Sequence, residues 1–148
     1  GRAGRRSKQG KVIIQTYDIK HRIIKQVVDN DYEGMFREEM IERKQFKYPP
    51  FYKLIQIDIK HKDLGKLLVI AESFAKDLRM QLGDMILGPQ SPLVGRIRNY
   101  YIQSIIIKMD WKNQSVVKVK TLLKDKVSLF GADKANKGAF LIIDVDPY

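Results

Sequence analysis

Cysteine is absent from all 148 residues. Disulfides, thiol catalysis and cysteine-ligated zinc are therefore excluded for this chain. Histidine is nearly absent as well: His21 and His61 lie far apart, and neither has a nucleophile partner beside it. No Gly-Lys-Ser/Thr loop is present to cradle a nucleotide phosphate, and no cluster has metal-ligand spacing. No run is apolar enough to cross a bilayer, and Gly1 to Arg6 lacks the apolar stretch of a signal peptide. The expectation is a soluble cytoplasmic protein with no membrane partner. Acidic side chains are in deficit, with 17 Asp and Glu against 28 Lys and Arg and a net charge of +11. Such a surplus attracts polyanions, whether nucleic acid, acidic protein tails or an anionic surface.

What is present is well patterned after a biased start. Gly1 to Lys11 is rich in Gly, Arg and Lys. Lys11 to Tyr17 is a compact apolar run that reads as a strand with no partner nearby. An unpaired apolar edge invites pairing, so a crystal dimer through Val12 to Gln15 is expected. Asp18 is suited to cap a short helix in which Ile23, Ile24, Val27 and Val28 recur at helical spacing. A second, charged helix runs from Tyr32 through Arg43 until Tyr48-Pro49-Pro50-Phe51 stops it.

From Phe51 to Lys60 the alternation predicts a strand, with Phe51, Ile55, Ile57 and Ile59 on one face and Gln56, Asp58 and Lys60 on the other. Leu64 to Leu82 reads as a helix with a stripe of Leu67, Ala71, Phe74, Ala75, Leu78 and Leu82. A short strand follows at Met85 to Leu87, then a loop from Gln90 to Gly95 and a long strand from Arg98 to Met109. A helix from Asn113 to Lys126 and a strand from Ala139 to Val145 close the chain. Strand, helix, strand, strand, helix, strand is the split βαβ order of an α+β, ferredoxin-like βαββαβ domain. The isolated strand and two helices precede it. Fold does not fix function, so the residues must carry that argument.

Four segments carry candidate chemistry. Arg96-Ile97-Arg98-Asn99-Tyr100-Tyr101 leads into an apolar strand and Lys108. Cations interleaved with aromatics suit single-stranded nucleic acid: charges track the backbone while rings stack on bases. Half-buried tyrosines beside solvated arginines are the plainer account. Asp144 and Asp146 are spaced to share one strand face, but no third ligand is evident, and a strand end with a proline stop is favoured over a metal site. Lys112, Lys118 and Lys120 lie at or near the last helix, where a solvated basic face is the default. Gly1-Arg2-Ala3-Gly4-Arg5 resembles the end of the last motif of superfamily-two helicases, where arginines reach the terminal phosphate of ATP.

Taken in order, the glycine-arginine run, the Tyr48-Pro49-Pro50-Phe51 junction, the Arg96 to Lys108 strand and the Asp144-Val145-Asp146-Pro147 ending resemble the PriA family of replication-restart DNA helicases, the primosomal protein N-prime family. Arg96, Arg98, Tyr101, Ile105 to Ile107 and Lys108 match that family's strand. Tyr100 and Ile102 stand where the family commonly has two further arginines.

The resemblance implies a domain order. Residues 1–17 would be the end of the second motor lobe, 18–50 a helical linker and 51–148 the C-terminal ferredoxin-like domain. It assigns the ATP phosphate to Arg2 and Arg5 and supports DNA binding at the matching Arg96, Arg98, Tyr101 and Lys108, which Tyr100 joins from the interleaving of cations with aromatics. It implies single-stranded or forked DNA, single-strand DNA-binding protein and other primosome proteins as partners, with Lys112, Lys118 and Lys120 suited to an acidic tail. ATP with magnesium would be bound by a lobe lying outside this chain, and zinc by cysteines upstream, so the chain itself would hold no cofactor and no metal and would not be an enzyme alone. Two other classes remain. One is an RNA-binding ferredoxin-like module using Tyr100 and Tyr101 as a stacking platform. The other is an acylphosphatase-type enzyme, although no phosphate loop precedes its first helix.

Overall fold

The computed structural model of the chain describes residues 12–110, 112 and 116–147. These divide after Ile41 into two compact units. The first holds helix α1 (Arg22–Val28) and the beginning of helix α2 (Tyr32–Gln45). Glu38 of α2 receives both the Arg22 guanidinium at 2.9 Å and the Gln26 amide at 2.7 Å, which fastens the two helices together. The expected cap at Asp18 is corrected. Asp18 accepts from the Lys20 N–H in a turn of its own, and His21 caps α1 by accepting from the Ile23 N–H. The described part of the expected first strand, Val12 to Tyr17, pairs with no other strand among the described residues, and Val12 and Ile13 are exposed. A strand is completed only by a ladder partner.

The second unit is a sheet under two helices. Strands β1 (Lys53–His61), β2 (Ile86–Gln90), β4 (Tyr100–Met109) and β5 (Phe140–Val145) lie in the order β2-β4-β1-β5, every neighbouring pair antiparallel. Helices α3 (Leu64–Leu82) and α4 (Val116–Ala132) make the two crossovers. That is the ferredoxin-like arrangement expected from the sequence. In β1 the odd residues Ile55, Ile57 and Ile59 face the helices, packing with Ile105 and Ile107 of β4 and Leu67, Ala71 and Leu78 of α3. Fully burying one such aliphatic side chain contributes about 1.5–3 kcal/mol. Val119, Leu123 and Phe130 bring α4 onto the same core. The even residues Gln56, Asp58 and Lys60 turn to the uncovered face.

The element ends differ from expectation for local reasons. Helix α4 runs to Ala132 rather than Lys126, because Phe130 is buried against Phe74 with ring centroids 5.3 Å apart. Asp63 caps α3 by accepting from the Lys66 N–H at 2.9 Å. That bond, more than any other influence, holds its carboxyl below the ordinary aspartate value of 3.8. A group depressed in the folded state contributes stability above its unfolded value and loses it as pH falls through its folded value. Asp63→Ala is therefore expected to lower the melting temperature at neutral pH and to flatten the loss of stability below about pH 4. Melting curves across acid pH check this; parallel acid limbs for both proteins would contradict it.

Candidate nucleic-acid interface

The expected strand from Arg98 begins at Tyr100 instead. A two-residue strand β3 (Arg96–Ile97) folds back on β4, pairing Arg96 with Tyr101 and Ile97 with Tyr100. Arg98 and Asn99 form the two-residue turn, with φ of 46° and 66°. Positive φ at both positions is the type I′ geometry that matches the twist of a hairpin. Asparagine tolerates it; arginine does so only with strain. The fold thus spends backbone strain to hold an exposed arginine at the tip.

Arg96 is placed by its neighbours. Its guanidinium lies 4.8 Å from the centre of the Tyr101 ring, and it donates to the Asn99 side-chain oxygen at 3.3 Å. Tyr101 in turn packs against the core. Arg96, Arg98 and Tyr101 are thereby gathered at one end of the sheet, with Arg96 and Arg98 exposed.

The other expected residues are not gathered with them. Tyr100 and Tyr101 are consecutive on a strand, so their rings leave opposite faces of the sheet. Tyr100 meets Phe140 edge-on at 5.6 Å and lies under the Lys62 ammonium, also at 5.6 Å. A single platform built from the two tyrosines is ruled out by this alternation. The uncovered face is also unsuited to a polyanion at its centre, where Asp58 accepts from the Ser104 hydroxyl at 2.7 Å and from Gln56 at 3.0 Å. A groove of 760 Å³ runs over that face beneath Pro92, Leu93 and Val94. Lys108 lies at the far end of β4, eight residues from Tyr100, or about 27 Å along an antiparallel strand. Its ammonium donates to the Phe46 carbonyl at 2.8 Å.

Lys118 and Lys120 are exposed on α4, but two residues along a helix place them about 200° apart around its axis. Lys112 is exposed, and its backbone N–H donates to the Asp110 carboxylate at 3.1 Å. Neither helical geometry nor a cavity brings the three together. Arg2 and Arg5 lie outside the described residues.

The pair Asp144 and Asp146 is not a strand-spaced pair. Asp146 follows β5 with φ of 53°, which turns it out of the strand. Its carboxylate accepts from the Leu54 N–H at 3.0 Å, and its own N–H donates to the Leu54 carbonyl at 2.8 Å, closing the end of β1. Asp146→Ala is expected to cost about 1 kcal/mol, the scale of a net hydrogen bond at an exposed site. Asp146→Asn keeps both the acceptor and tolerance of positive φ, so it should lose much less. Urea denaturation of both variants checks the ordering. No group of three His, Cys, Asp or Glu suited to a metal ion occurs among the described residues, and with no cysteine in the chain the residues do not fit a zinc site.

Residues 44–148 match the family model described as Primosomal protein N C-terminal domain. The chain is 35% identical over 150 residues to the "Replication restart protein PriA" of Bacillus subtilis, covering 100% of this chain and 18% of that protein. Its identity to the protein of the same name from Thermotoga maritima is 33%, covering 99% of this chain and 18% of that protein. For the Synechocystis protein of that name the identity is 30%, with 99% and 17% covered. The chain thus spans under a fifth of the length of these relatives. With the sheet order, the Tyr48-Pro49-Pro50-Phe51 junction and the Asp146 closure all lying inside the matched residues, the chain belongs to the family of primosomal protein N C-terminal domains.

Proposed function

We propose that this chain is the DNA- and protein-binding C-terminal portion of an ATP-dependent 3′–5′ DNA helicase that restarts stalled replication forks by assembling the primosome. The observation that carries the DNA-binding part is the hairpin. Arg98 is held at a strained turn tip and Arg96 is laid over Tyr101, at the end of a chain with a net charge of +11. Exposed guanidiniums fixed in place suit phosphate, which they bind with several donors at once.

On this reading the motor chemistry lies outside the chain. ATP with magnesium would bind a separate lobe, with Arg2 and Arg5 completing its phosphate site, and zinc would be held by cysteines upstream. Residues 1–17 would close the motor lobe, 18–50 link it, and 51–148 form the binding domain. Lys112, Lys118 and Lys120 would supply diffuse attraction for the acidic tail of single-strand DNA-binding protein, since they do not share one face. The whole would act in the cytoplasm with other primosome proteins.

The test is a fluorescence anisotropy titration of the chain with labelled single-stranded and forked DNA at low and near-physiological salt. Saturable binding that weakens with salt is expected, each phosphate contact on a single strand contributing a slope of about −0.7 in log K against log salt. No binding at low salt would overturn the DNA-binding part and leave a protein-docking domain.

A further inference from the structure

Lys47 stands where helices usually place glycine. Helix α2 ends in a Schellman arrangement, with the Tyr48 N–H donating to the Arg43 carbonyl at 2.7 Å and the Lys47 N–H to the Lys44 carbonyl at 3.3 Å. Lys47 takes the left-handed position, with φ of 58°. A long side chain is disfavoured there, and such outliers cluster at binding and catalytic sites.

Its neighbour is also unusual. Lys108 reaches from β4 to the same turn, donating to the Phe46 carbonyl and lying 4.0 Å from the centre of the Tyr48 ring. Burial, and then the charge of Lys47, hold its ammonium below the ordinary lysine value. An ammonium has three donors, and the Phe46 carbonyl takes one. Two cations are thus kept close despite repulsion, beside a cavity of 560 Å³ that Phe46, Tyr52 and Leu87 also line. That volume lies in the range of small-ligand pockets, about 300–1,000 Å³. Phe46 is 58% exposed, so its ring is available for contact.

We infer that this cavity binds one nucleotide unit of single-stranded nucleic acid, its phosphate on Lys47 and Lys108 and its base against Phe46 and Tyr52. A phosphate is an anion that two neighbouring lysines can hold together, and an aromatic face is what a base stacks on. Asp84 stands on the same lining, and a carboxylate there accepts from a ring N–H or amino group of a base. An acidic peptide brings carboxylates but no flat base to lay against Phe46 and Tyr52, so the aromatic lining favours a nucleotide as the occupant. The inference rests on the reading of this unit as a nucleic-acid binding domain, and it adds a second contact at the end of β4 opposite the arginine hairpin.

The decisive variant is Lys47→Gly in the full chain. Glycine relieves the left-handed backbone while removing the cation, so melting temperature should hold or rise. Affinity for oligothymidylate should fall about tenfold, the scale of one hydrogen bond to a charged group. A role confined to stability cannot produce that split. Oligothymidylate carrying bromodeoxyuridine should crosslink under ultraviolet light to the peptide containing Phe46 or Tyr52, read by mass spectrometry.

Unchanged affinity in Lys47→Gly with no such crosslink, while Arg96→Ala/Arg98→Ala still weakens binding, would overturn this inference and leave the hairpin interface standing. Failure of the unaltered chain to bind at low salt would remove both. If Lys47→Gly lost affinity for an aspartate-rich peptide and kept it for oligothymidylate, the cavity would be a peptide site and the inference wrong.

Discussion

Gly88→Ala is expected to destabilise the sheet unit by about 3 kcal/mol or more, beyond the range of an ordinary surface substitution. Gly88 lies where β2 slips against β4: Leu87 pairs with Ile106 and Gln90 with Ser104, so the ladder is irregular between them. Such a bulge bends the strand and asks for an unusual backbone angle, and Gly88 has φ of +91°. A methyl group there would come within 2.6 Å of the Ser104 carbonyl oxygen and 3.2 Å of the Gln90 nitrogen. Both are backbone atoms of paired strands, so neither can swing aside as a side chain tip does. The segment is also held from the other direction, because the Arg79 guanidinium of α3 donates to the Gly88 carbonyl. Gly83→Ala is the control. Gly83 has φ of +56° and ψ of −133° with nothing within 4 Å of the added carbon, so only the backbone conformation opposes it, at about 1–3 kcal/mol. Urea denaturation of the two variants measures the difference. Equal losses would show that the bulge relaxes around the methyl group and that close approach to β4 does not set the requirement for glycine.

The parts of the fold that were legible in the sequence are those where burial alone decides. Ile55, Ile57 and Ile59 alternate because one face of β1 is packed and the other is not, and the stripe from Leu67 to Leu78 repeats because α3 lies on that same packed face. What escaped was set by hydrogen bonds and turns. The hairpin at Arg98-Asn99 carries no glycine, so Asn99 alone marks a two-residue turn, and the apolar pattern starts the strand at Arg98, inside that turn, rather than at Tyr100. The cap of α1 moved from Asp18 to His21 because an imidazole nitrogen accepts as well as a carboxylate does, while Asp18 closes a turn of its own. Asp146 bonds across to Leu54, ninety-two residues away, a contact that no local pattern contains.

The candidate site divides the same way. The pairing of cations with aromatics from Arg96 to Tyr101 was legible as a pattern, but its geometry was not. Strand alternation sends Tyr100 to Phe140 and Tyr101 to the core, which turns two adjacent rings from one platform into two separate supports. Tyr101 lies under the Arg96 guanidinium. Lys47 gave no signal at all in the sequence, because lysine before Tyr-Pro-Pro looks like any solvated cation until its φ of 58° is known.

Replacing both Arg96 and Arg98 by alanine is expected to have the largest effect on function, weakening binding to single-stranded DNA at low salt by about 100-fold or more, at one charge-assisted hydrogen bond or more lost per arginine. Both side chains are exposed, and neither contributes to the core, so the melting temperature should change little. The salt dependence gives a second, independent readout. Losing two phosphate contacts should make the slope of log K against log salt shallower by about 1.4, from about 0.7 per contact on a single strand. Tyr101→Phe separates support from stacking. The ring face under the Arg96 guanidinium survives the loss of the hydroxyl, so affinity should hold. Tyr100→Ala should likewise leave affinity close to that of the unaltered chain, because that ring is turned to Phe140 on the other face of the sheet. A large loss in Tyr100→Ala with none in the arginine pair would invert the assignment, placing nucleic acid on the uncovered face of the sheet and against Asp58. In that case Asp58→Asn should strengthen binding, since it removes a carboxylate from that face without removing the acceptor for Ser104.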